Sequence, residues 1–100
     1  MPSEIVLSLL NSVPVQNWTF SSKDVILIGR ATDNHVVLFS AVVSRHHAEL
    51  RWDEVDGWQL VNISANGTYH DGEAIKAAKV VDGMIFRLAT SGPKIQIKMV

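Results

Sequence analysis

Turn-forming residues interrupt this chain so often that almost no segment is long enough for a helix. Asn11-Ser12-Val13-Pro14, Ser21-Ser22-Lys23-Asp24, the 53–57 segment, Asp71-Gly72 and Asp82-Gly83 each break an apolar or alternating run. The runs between them carry the period of a strand. Ala48, Leu50 and Trp52 alternate with Glu49 and Arg51, and Trp58, Leu60 and Asn62 with Gln59, Val61 and Ile63. Met84, Phe86 and Leu88 alternate with Ile85, Arg87 and Ala89, and Ile95, Ile97 and Met99 with Lys94, Gln96 and Lys98. Residues 5–10 and 15–20 are two further strand candidates. Residues 25–28 read as a buried strand ending at Gly29, and 35–38 as a short one. Only residues 73–81, through Ala74, Ala77 and Ala78, hint at a helix, and their short length between glycines favours strand and loop. Turns at this frequency point to an all-β sandwich rather than to βαβ units.

The bulk properties narrow the function classes. One hundred residues suit one domain spanning 1–100. At 47% hydrophobic and 19% charged, the chain can build a core without metal or disulfides and is too apolar for disorder. A net charge of −1 supplies no global field for nucleic acid or anionic membrane, so any anion site has to be local. There is no cysteine, which removes disulfides and thiol chemistry. No apolar run approaches the roughly 20 residues of a membrane span, and Met1-Pro2-Ser3-Glu4 lacks the basic and apolar regions of a signal peptide. The expectation is a cytoplasmic protein with no membrane or nucleic-acid partner and no cofactor.

Three short segments carry the candidate chemistry. Gly29-Arg30 ends the buried strand, either as a strand-ending glycine with a surface arginine or as a guanidinium fixed at a rim, where its planar fork could hold a phosphate. Ser44-Arg45-His46-His47 precedes an alternating strand. It is either an ordinary polar loop or a hydroxyl, a charge and turn amides gathered around an anion. His47 lies against the strand and reads as a buried brace, whereas His46 has the opposite parity. Asn66-Gly67-Thr68 is a common turn sequence whose carboxamide could also pair with an extended peptide backbone.

Taken in order, Gly29-Arg30, Ser44-Arg45-x-His47 and Asn62-x-Ser64-x-Asn66-Gly67-Thr68-Tyr69 with Gly72 resemble the signature of the forkhead-associated (FHA) domain. The resemblance covers nearly the whole chain. It implies a sandwich of about eleven strands with Greek-key-like pairing and with binding loops at one end. It also implies recognition of phosphothreonine peptides, and hence a serine/threonine kinase upstream of the partner. Carried over by position, the phosphate-contacting residues fall on Arg30, Ser44 and Arg45, and the residue clamping the peptide main chain on Asn66. The structural glycine and histidine fall on Gly29 and His47, with Gly67 permitting the turn and Thr68 tying the loop down. The chain departs from the family at Ala65, where a hydroxyl is frequent, at Met84, often acidic, and at Ala89, often glycine. FHA domains are commonly modules of longer chains.

Other assignments fit the residues less well. Ser44, His47 and Asp71 match a catalytic triad only by residue type, with no Gly-x-Ser-x-Gly elbow and no P-loop, so no catalytic residue is expected. His35, His46, His47 and His70 lack metal-ligand geometry, since adjacent His46 and His47 point to opposite faces of an extended segment. Trp52 and Trp58 belong to faces expected to be buried, so core packing suits them better than a base-stacking platform. The leading expectation is a non-catalytic phosphothreonine-peptide reader. The alternative is a phosphate-independent interaction or self-association domain on the same fold.

Overall fold

The computed structural model describes residues 2–100, which form eleven strands and no helix. In chain order these are β1 (Ile5–Leu9), β2 (Gln16–Phe20), β3 (Val25–Gly29), β4 (Val36–Val37), β5 (Ala48–Asp53), β6 (Gly57–Asn62), β7 (Thr68–His70), β8 (Glu73–Ile75), β9 (Ala77–Lys79), β10 (Ile85–Leu88) and β11 (Lys94–Met99). A six-stranded sheet runs β2-β1-β11-β10-β7-β8, and a five-stranded sheet runs β4-β3-β5-β6-β9. Pairing is antiparallel throughout, except that β4 lies parallel to β3. The turn-rich sequence therefore does give a β-sandwich.

The alternating runs bury one face each. Ile5 and Leu7, Ile26 and Ile28, Leu50, Trp58 and Leu60, Phe86 and Leu88, and Ile95 and Ile97 meet between the sheets. Burying a side chain of this size stabilises the fold by about 1.5–3 kcal/mol, the term that offsets the cost of ordering so many short strands. Trp58 is fully buried, but Trp52 is only half-buried, resting edge-on against Trp58 with ring centroids 5.6 Å apart.

Residues 73–81 form two strands, and the structure adds that they belong to different sheets. β8 closes one edge of the six-stranded sheet, Lys76 crosses over, and β9 pairs with β6. Asp71 and Gly72, with φ of 50° and 79°, make the tight β7–β8 turn that two positive φ values allow. Small boundary differences occur elsewhere: β1 stops at Leu9, β2 starts at Gln16 and β4 is two residues long. Ala89 is not on a strand; it adopts φ 61°, a left-handed conformation that costs an L-residue free energy.

Candidate functional site

Three loops meet at one end of the sandwich. They are residues 30–35 after β3, 38–47 before β5, and 63–67 between β6 and β7. Hydrogen bonds to backbone carbonyls fasten them to one another, and Leu38 and Val43 of the second loop also pack into the core.

Gly29 is the point of closest approach. A Cβ there would overlap the Arg45 carbonyl oxygen and stand 2.9 Å from Asn34 Nδ2. The bare backbone lets β3 lie against the Ser44-Arg45 segment, so that Arg30 N–H donates to the Ser44 carbonyl at 3.0 Å and Ala31 N–H to the Arg45 carbonyl at 3.1 Å. Arg30 is exposed, yet its Nε donates to the Val43 carbonyl at 2.9 Å, which orients the guanidinium while its terminal nitrogens have no hydrogen-bond partner among the described residues.

His47 is fully buried and uses both ring nitrogens. Its Nδ1 accepts the Ser44 N–H at 3.0 Å, which puts the proton on Nε2 to donate to the Gly67 carbonyl at 2.7 Å. Burial holds its pKa below the ordinary 6.5, the Gly67 bond opposing this only in part, so the ring is neutral at pH 7. His47 is thus the loop brace its position suggested. It is not poised as a base for Ser44, since the serine meets it through the backbone amide. His46 turns outward, with Nε2 3.1 Å from Asp33.

The third loop is held from within and from beside. Asn62 Oδ1 accepts from the Ser64 and Thr68 hydroxyls at 2.8 and 2.9 Å, and Ser64 Oγ accepts the Gly67 N–H at 3.1 Å. Gly67 has φ 86°, and a Cβ there would press on the Tyr69 ring at 3.1 Å. Ala89 N–H donates to the same Gly67 carbonyl that His47 uses, at 2.8 Å. Asn66 is exposed and donates through Nδ2 to the Val42 carbonyl at 2.9 Å. Arg30 and Asn66, 36 positions apart in the chain, therefore anchor on the consecutive carbonyls of Val43 and Val42.

The eight residues singled out in the sequence come together here. Arg30, Ser44, Arg45 and Asn66 form the rim, and Gly29, His47, Gly67 and Thr68 support it from below. The turn amides need one correction: those of Ser44 and His47 are consumed by His47 Nδ1 and the Ile28 carbonyl, which leaves those of Arg45 and His46 without a hydrogen-bond partner among the described residues. The sequence reading missed Asn34. It is buried, and its Nδ2 bridges the Ala31 and Arg45 carbonyls at 2.7 Å each, fixing the curl of the first loop. A polar residue between the Thr32-Asp33 turn and the Val36-Val37-Leu38 run was the available signal.

A model of the FHA domain family matches residues 26–89, from β3 to just past β10. The chain belongs to the FHA domain family. No curated protein matches it, but solved FHA domains superpose along its length. One, from a structural and functional analysis of phosphothreonine-dependent FHA domain interactions, is 26% identical over 98% of both chains, with a TM-score of 0.84. The FhaA FHA domain, solved in complex with the intracellular domain of Rv3910, is 27% identical with a TM-score of 0.77, covering 94% of this chain and 99% of that one. Mycobacterium tuberculosis EmbR, in complex with a low-affinity phosphopeptide, is 28% identical with a TM-score of 0.77 over 94% of this chain and 24% of EmbR. The three loops are thus the loop end of an FHA sandwich, and all eight residues fall within the matched segment.

Proposed function

We propose that this FHA domain is a non-catalytic reader of phosphothreonine peptides and that the loop rim is its binding site. The observation that carries the reading is the shared anchoring of Arg30 and Asn66 on the Val43 and Val42 carbonyls. It orients a guanidinium and a carboxamide from one shared loop before any ligand arrives, and preorganisation lowers the cost of binding. Arg30 and Arg45 supply charge-assisted bonds to a phosphate carrying nearly two negative charges. Ser44 Oγ and the unpaired amides of Arg45 and His46 take further oxygens, and Asn66 Oδ1 accepts from the peptide backbone. Ala65, exposed beside Asn66, contributes no hydroxyl. The ligands are then products of a serine/threonine kinase.

Titration calorimetry against a degenerate phosphothreonine peptide pool, with the unphosphorylated pool as control, tests this. Binding confined to the phosphorylated pool is expected. Arg30→Ala should weaken it about 100-fold, since each bond to a charged group contributes about 1.5–3 kcal/mol. Binding that is indifferent to the phosphate or to Arg30 would overturn the reading.

A further inference from the structure

The outer face of the six-stranded sheet carries a charge pattern at odds with the whole chain. The chain's net charge is −1, but the outward-pointing strand residues of this face include Arg87, Lys94 and Lys98 and no carboxylate. Arg87 and Lys94 are direct register partners across β10 and β11, on the same face. Like charges directly opposite one another destabilise a sheet, and among the described residues no carboxylate forms a salt bridge with any of these three cations. On the other outer face Arg51 of β5 donates to Glu49 at 2.7 Å, while Lys79 of β9 stands without a salt bridge among the described residues but has no second cation opposite it.

The face is also not flat. A groove of about 500 Å³ is lined by Tyr69, Ile85, Arg87, Lys94 and Asp71, the last with its carboxylate 3.5 Å from His70. Ile85 is 41% exposed on its wall. Arg87 is fixed there by the turn that follows, its Nε donating to the Gly92 carbonyl at 3.1 Å. The groove combines an apolar lining able to take one side chain with two cations that form no salt bridge among the described residues and outnumber its one carboxylate, Asp71, and Lys98 extends the charge along β11.

We infer that this groove is a second docking surface, separate from the loop rim, for an acidic polypeptide segment bearing an aliphatic or aromatic residue. The apolar residue fills the groove over Ile85 and Tyr69. Flanking carboxylates meet Arg87, Lys94 and Lys98 and relieve the repulsion between the first two. Three cations around a concavity fit a peptide better than a membrane, which favours clusters of four to eight basic residues, or a nucleic acid, whose affinity grows with the number of phosphates neutralised.

The test uses a fluorescein-labelled peptide of alternating glutamate and leucine, followed by anisotropy and by amide chemical shifts of the labelled domain. Glutamine–leucine and lysine–leucine peptides serve as controls. Expected are binding of the acidic peptide alone, shifts centred on Ile85, Arg87 and Lys94, and weakening as salt rises from roughly 0.05 to 0.5 M. The double variant Lys94→Glu/Lys98→Glu should lose about tenfold in affinity while leaving titration of the phosphothreonine pool unchanged; Lys94→Gln should give a smaller loss. Both lysines are exposed, so the spectrum of each variant should stay that of the folded domain. Equal binding of the neutral peptide, no loss in the charge-reversed variant, or shifts centred on Arg30 and Ser44 would overturn the proposal. So would binding of phosphatidylserine vesicles or single-stranded DNA without the acidic peptide. Because the probe carries no phosphate, its result stands apart from that of the phosphothreonine titration.

Discussion

The molecule presents positive charge in two places and maintains it by different means. At the loop end, Arg30 and Asn66 are held by hydrogen bonds to the backbone of another loop, and that loop is held in turn by buried His47 and Asn34. On the outer sheet face, the register of β10 and β11 sets Arg87 opposite Lys94, and the Gly92 carbonyl then steadies the arginine alone. A loop rim has no ladder to define it, so its precision comes from satisfied buried polar groups, and losing one group disturbs several others. A sheet face inherits its geometry from the ladder and tolerates substitution of its exposed side chains.

Three changes test this contrast, from the largest effect to the smallest. Gly29→Ala forces a methyl into the Arg45 carbonyl and should cost about 3 kcal/mol in chemical denaturation, with loss of phosphopeptide binding in whatever fraction stays folded. A variant of near wild-type stability would show that the loop gives way and that the close approach is not rigid. His47→Ala strands the Ser44 amide and removes one of two donors from the Gly67 carbonyl, so a loss of about 2 kcal/mol is expected. The same residue makes the rim sensitive to acid. With its folded pKa below the unfolded 6.5, stability is complete above that value and falls as pH drops through the folded pKa, because the unfolded chain takes up the proton first. His35, lowered chiefly by burial and also by Lys23, acts in the same direction. A urea midpoint that stays flat between roughly pH 7 and 5 would contradict the neutral buried ring. Ala89→Gly is the smallest change and runs the other way. Relief of the left-handed strain outweighs the added unfolded-state entropy, for a net gain of about 0.5 kcal/mol. Because Ala89 N–H caps the Gly67 carbonyl, the gain should register as slower amide exchange in the 63–67 loop and leave the β10–β11 face unaffected.

Much of the rim was legible before any coordinates. A glycine that ends a buried strand, a histidine one position before an alternating strand and an Asn-Gly turn each have a local physical meaning, and the structure gives each that role. Asn34 escaped notice because its partners, the Ala31 and Arg45 carbonyls, are backbone groups that no residue name discloses. The Val42 and Val43 carbonyls that orient Asn66 and Arg30 escaped for the same reason. Trp52 was expected inside on its parity, but it sits near the end of β5, where the sandwich no longer covers it fully.

The sequence by itself determined the fold class, the positions of the turns and the inward face of each long strand. Those depend on backbone preferences at glycine, proline, asparagine and aspartate and on a two-residue period, all of which are local. Only the tertiary structure decided that residues 73–75 and 77–79 serve different sheets, that Arg30 and Asn66 share one loop as an anchor, and that Arg87 faces Lys94. Strand order and register come from how all the apolar faces pack at once, and that global choice is not written in any one segment.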